Sequence, residues 1–203
     1  MATNRIKQYR RIQYWENFFL DSAIYSVGQS VGVSYEDGFR PVSAVTGDLF
    51  TYMYSEDKPC DSGATNYFFM PEAVKRAYSL FGYGCVYCSN QQIHDAPDAA
   101  LAQIRRSVDR GVPVLAWGCG GVEMANGNRL DPLPEGCLIG GYDTENQLLF
   151  INLYPGAERL AKTSACGRPG VDEDGYTAIH AAPALATTLS RQLPFRLMLW
   201  IIP

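Results

Sequence analysis

Two apolar runs, CLIGGYD (residues 137–143) and LLFINLYP (148–155), flank the polar tetrapeptide TENQ (144–147). Strand-forming runs joined by so short a polar segment read as an antiparallel β-hairpin. A third apolar run, VPVLAWG (112–118), comes directly after AALAQIRRSVDR (99–110), whose apolar residues recur at helical spacing. Asp95-Ala96-Pro97-Asp98 is expected to cap that helix and Gly111 to close it. A helix returning into a strand, then a hairpin, requires a layered arrangement with the helix packed on an antiparallel sheet.

The remaining segments fit that frame. LDSAIYSVGQSV (20–31) spaces Ile24, Val27 and Val31 as a core helix, capped by Asn17, Asp21 or Ser22, and entered from the Tyr14, Trp15, Phe18, Phe19 aromatic cluster. Residues 39–54 are mixed, with TGDLFTYMY a turn feeding a short helix, and residues 57–66 form a loop. Residues 70–81 read as an amphipathic helix stopped at Gly82, and 84–89 as a strand. A Gly/Asn-rich loop spans 118–133, residues 156–176 are irregular, 178–189 are expected to be helical, and FRLMLWII (195–202) is a closing strand. The expected fold is α+β in a single domain, 1–203, with a helical half over about 1–110 and an antiparallel sheet half over about 111–203.

Composition narrows the function classes. With 47% hydrophobic and 19% charged residues the chain is globular. Its net charge of −4, from 17 basic and 21 acidic side chains, supplies no field for a nucleic-acid backbone or an anionic membrane. No apolar run has signal-peptide or membrane-spanning length, so a cytoplasmic location with free thiols is expected. Cys85 and Cys88 form a Cys-x-x-Cys pair with His94 nearby, but no second pair exists to complete a zinc site. The pair also lies among strand-forming residues, whereas a redox pair opens a helix. No metal and no cofactor are expected.

The segment IRRSVDRGVPVLAWG, followed after a loop by EGCLIGGYDTENQLLFINLYP, resembles the second half of papain-like cysteine peptidases. It is most similar to the bacteriocin-processing branch and its uncharacterised bacterial relatives. The resemblance implies a helix ending in Gly-x-Pro-Val, a strand opened by the catalytic histidine and ending in Gly-Tyr-Asp, and a further strand carrying the Asn that orients the histidine. It also implies an oxyanion glutamine and a nucleophilic cysteine at the start of the first helix. Carried over residue by residue, Gln13 matches the glutamine and Asn152 the orienting asparagine. The nucleophile position falls on Phe19, and the histidine position on Glu135, or on Gly136 if the register slips by one. The two groups that perform the chemistry in that family are therefore replaced.

Three functional readings follow. The first is a catalytically inactive papain-like protein whose degenerate cleft binds a small molecule or a peptide, with Trp15, Ser22, Trp117, Cys137, Tyr142 and Tyr154 as candidate lining. The second is an active cysteine hydrolase or acyltransferase with a displaced nucleophile, Cys137 or Cys119. The third is a protein-interaction accessory module using the acidic run Asp172-Glu173-Asp174 or the 118–133 loop. Candidate partners are that small molecule or peptide and a second copy of the chain. His94 and His180 lie outside the matching segments and are expected to serve packing or the surface.

Overall fold

The computed structural model describes residues 3–7, 19–50, 71–117, 122–123, 129–130, 136–153, 176–181 and 196–201. The strand that organises them is β6 (Gly136–Asp143). Along one edge it pairs antiparallel with β7 (Leu148–Leu153). Its other edge is divided between two partners. β3 (Val114–Trp117) takes residues 136–139, and β1 (Thr3–Arg5) takes residues 141–143. The sheet continues from β3 to β9 (Arg196–Ile201) and β2 (Gly84–Cys88), and from β7 to β8 (Thr177–His180), giving seven strands among the described residues. Two short strands within the long loop, β4 (Val122–Glu123) and β5 (Arg129–Leu130), pair separately.

Helices cover both faces of this sheet. On one face lie α1 (Phe19–Ser30), α2 (Arg40–Thr46), a 3-10 turn (Asp48–Phe50) and α3 (Pro71–Leu80). Their Leu20, Ile24, Val27, Val42, Val74 and Tyr78 pack with Leu115 and Leu138 of the sheet. On the other face lie α4 (Asn90–Asp95) and α5 (Pro97–Asp109), whose Ile93, Ile104 and Val108 pack with Val114, Ala116, Cys137 and Ile139. Consecutive residues of β3 and β6 thus feed opposite cores, as the two-residue period of a strand requires. Residues 20–28 of α1 are buried without interruption, so this helix is interior to the protein.

The caps follow local chemistry, with one departure from the sequence reading. Ser89 and Gln92 form a reciprocal capping box that starts α4. Asp95 therefore lies in the last turn of α4, bound by Gln91 Nε2 at 2.7 Å, and does not cap α5. The α5 N-cap is Ala96, without a side-chain hydrogen bond, and Pro at the first turn supplies the start. Gly111 closes α5 at φ 77°, and Val112 N–H reaches back to Ser107 O at 3.0 Å. A second departure concerns residues 178–180. They belong to β8, where Thr177 and Ile179 are buried and register with β7 holds them extended. The helix expected there yields to edge pairing, and residues 182–189 lie outside the described residues.

The divided edge of β6 needs a break in the ladder. Pairing with β7 shifts register between Ile139 and Gly141, a β-bulge at Gly140. A Cβ on Gly140 would stand 2.5 Å from Tyr176 Oη, and one on Gly141 would stand 2.9 Å from the Asn4 carbonyl. Tyr176 Oη in turn donates to Ile6 O at 2.7 Å, and Ile6 N–H donates to Gly140 O at 2.8 Å. Gly140→Ala should displace Tyr176, break its bond to Ile6 and destabilise the protein by about 1–3 kcal/mol. The measurement is urea unfolding, where the midpoint falls and the slope is unchanged.

Candidate functional site

The bulge decides which residues share a face with Asn152. Counting back through a regular hairpin from the Asp143–Leu148 pair would set Asn152 opposite Ile139. The shift sets it opposite Leu138 instead. Leu138 packs with Leu20 at the start of α1, so Asn152, 4% exposed, lies on the α1 face of the sheet. Leu149 and Ile151 alternate with it and point to the α5 side. Gly136 shares the parity of Leu138 and opens β6, paired with Trp117 of β3. The strand-opening position on the Asn152 face is therefore a glycine, which offers no side chain to act as a base.

Other candidates divide between the faces. Phe19 is the first residue of α1, and Ser22, fully buried, follows one turn later. Ser22 Oγ has no hydrogen-bond partner among the described residues. Cys137 and Tyr142 sit in the core beneath α5, so the structure removes both from the cleft that the sequence reading assigned them. The cause is the same parity. Cys137 precedes Leu138 by one, and the bulge turns Tyr142 to the side of Ile139 although the two are three residues apart. Tyr142 Oη donates to Asp109 Oδ1 of α5 at 2.7 Å, and that bond raises its pKa. Gln13, Trp15, Cys119, Glu135, Tyr154 and the 172–174 acidic run lie outside the described residues; Phe19 and Trp117 are placed by their backbone.

Of the described thiols Cys137 is buried and Cys85 and Cys88 are half-buried. Cys85 packs toward the α1 side and Cys88 toward the α5 side, so the Cys-x-x-Cys pair straddles the sheet. Burial pushes the Cys85 thiol up to about 12 and also raises Cys88. His94 is exposed on α4, its Nδ1 3.3 Å from Asp95 Oδ1. His180 pairs with Leu148, four residues along β7 from Asn152, or roughly 13 Å at the strand rise. Neither histidine stands beside Asn152. Among the described residues no group of three or more His, Cys, Asp or Glu side chains could hold a metal ion.

One polar cluster on the α1 side escaped the sequence reading. Asp21, in the first turn of α1 two residues after Phe19, is fully buried in an otherwise apolar stripe, and Ser43, Thr46 and Asp48 from α2 and the 3-10 turn are buried beside it. Thr46 Oγ1 donates to Asp21 Oδ1 at 2.9 Å. Burial raises the Asp21 pKa to about 7; the Ser43 and Thr46 hydroxyls pull it down, and the Asp48 carboxylate pushes it further up. The signal in sequence is a carboxylate inside an apolar helical stripe (LDSAIYSV), which the sequence also allows as a helix cap.

No family model matches the sequence, and no curated protein matches it. A solved structure does: a candidate C39-like peptidase from Bacillus anthracis superposes with a TM-score of 0.55 at 9% identity, covering 100% of this chain and 99% of that one. The fold is papain-like. At that identity the likeness speaks for architecture alone. The papain-like frame explains the interior α1 packed against β3 and β6, and why Phe19 and Asn152 belong to the same side of the sheet.

The buried Asp21 makes stability depend on pH. Its folded pKa of about 7 lies above the unfolded value of 3.8, so the folded state holds the extra proton between them. Stability is fully present below about pH 4, falls as pH rises toward 7, and levels off above it. Among the described residues the titratable group acting on Asp21 is Asp48, and its carboxylate pushes the same way as burial. Asp21→Asn should flatten this slope and raise the melting temperature more at pH 8 than at pH 5. Thermal unfolding across that range checks it; equal shifts at both pH values would contradict the assignment.

Proposed function

We propose that this chain is a papain-like protein that does not hydrolyse peptides. It binds a small molecule or a peptide in the former active-site cleft, between the start of α1 and the β6–β7 hairpin. The observation that carries the reading is Gly136: on the face that retains Asn152, the place for the base holds no side chain. Phe19 at the first position of α1 supports it, because the resemblance puts the nucleophile there. A buried Ser22 hydroxyl without an adjacent base is a weak nucleophile. Its orphaned Oγ is better suited to bonding a ligand that enters from the helix start. A reducing, cytoplasmic setting with free thiols belongs to the same reading.

The test joins two assays on the full chain. A fluorogenic peptide panel should show no turnover above buffer. Iodoacetamide at pH 7 should label no cysteine faster than an ordinary thiol with a pKa of about 8.5. Turnover abolished by labelling one cysteine would overturn the proposal and favour a displaced nucleophile.

A further inference from the structure

On the α5 side of the sheet, away from Asn152, a cavity of about 380 Å³ opens between α5 and the β6–β7 turn. That volume is within the range of small-molecule sites. Leu101, Leu148 and Ala181 give it apolar walls, and the Tyr142 ring stands beside them. Arg105 supplies its cation, with the guanidinium carbon 5.7 Å from the centre of the Tyr142 ring. Arg105 Nε is buried and has no hydrogen-bond partner, and Arg105 forms no ion pair among the described residues.

That isolation is notable because carboxylates are near. Asp109 Oδ1 accepts from Tyr142 Oη at 2.7 Å and from Asn4 Nδ2 at 2.8 Å. Asp143, also at the cavity, accepts from the Glu145 and Asn146 N–H groups at 2.9 and 3.0 Å and from Asn146 Nδ2 at 2.9 Å. These bonds hold its carboxyl below its ordinary pKa and commit both oxygens to the turn. Neither acid is turned to the guanidinium. A buried donor with no acceptor is unfavourable by about 1–3 kcal/mol; Nε itself is closed off from solvent, so a group entering the cavity meets the other Arg105 atoms that line it.

The turn itself is fixed for the purpose. Gln147 lines the cavity and holds φ at 53°, the one positive value among the described non-glycine residues. Its carbonyl is bound by Ala181 N–H at 2.8 Å, which locks the turn against the end of β8. Asp98, exposed at the cavity, and Asp143 give the lining two carboxylates beside the one guanidinium, so an entering anion is held only where it meets Arg105 directly.

We infer that this cavity binds a small monocarboxylate with an apolar body, its carboxylate on Arg105 and its body against Leu101, Leu148 and the Tyr142 ring. A charge-assisted bond from a guanidinium to a carboxylate supplies orientation, and the apolar walls supply burial. The site is separate from the cleft under α1, and its existence does not depend on the reading of that cleft.

Calorimetric titration of the full chain with phenylacetate, and with its neutral counterpart phenylacetamide, tests this. Phenylacetate should bind saturably at one site, and phenylacetamide about tenfold or more weaker. Arg105→Gln should weaken phenylacetate by a similar factor and abolish the preference between the two. Leu101→Trp, which fills the cavity and leaves the guanidinium in place, should remove binding of both while circular dichroism reports an intact fold. Absence of phenylacetate binding to the unaltered chain would overturn the inference. So would equal affinity for the two probes, or binding undiminished in Leu101→Trp.

Discussion

Everything in this protein hangs on the backbone ladder of β6. One strand bonds β7 along one edge and divides the other between β3 and β1. Such a division demands a break in the pleat, and Gly140 and Gly141 supply it because no Cβ fits against Tyr176 or the Asn4 carbonyl there. The bulge has two results. It lets the N-terminal strand bond into the sheet centre, and it moves every residue before Gly140 by one place relative to β7. Bulges beside functional sites commonly re-aim side chains in this way.

That single slip separates the chemistry of the two faces. Before the bulge, Leu138 stands opposite Asn152 beneath α1, and Cys137 turns to α5. After it, Tyr142 turns to α5 as well and meets Asp109 and the Arg105 guanidinium. The α1 face is left with buried hydroxyls, an amide and a carboxylate sharing its environment with Asp48. The α5 face gathers an arginine, an aromatic ring and apolar walls around open space. A papain-like frame thus carries different side-chain chemistry on its two faces.

Much of this was legible in the sequence. The hairpin, the 97–109 helix and the 114–117 strand announce themselves because long periodic segments with clear turn residues leave few alternatives. The same reading gave a core helix over 20–31, and the structure has α1 at Phe19–Ser30. Short elements were hidden. α2, α4 and β1 span seven, six and three residues, too few for periodicity; α4 starts on a capping box, β1 exists through pairing with β6, and α2 is set by Pro in its first turn and Gly47 at its end. Residues 178–180 open an Ala-rich stretch, yet the edge of β7 offered hydrogen bonds that propensity could not outweigh. The faces of Cys137 and Tyr142 were not legible at all. Two adjacent glycines signal a possible bulge, but the direction of the slip is set by Tyr176 and Asn4, far away in sequence.

The central claim is that Phe19 and Gly136 occupy the nucleophile and base positions of a papain-like cleft that Asn152 still marks. The most direct measurement restores both groups. In the double variant Phe19→Cys, Gly136→His, the pH dependence of iodoacetamide alkylation at position 19 reports the thiol pKa. If the two positions converge, that pKa falls well below the free-thiol value of about 8.5, and it returns there in the single variant Phe19→Cys. The same ordinary pKa in both variants would contradict the account.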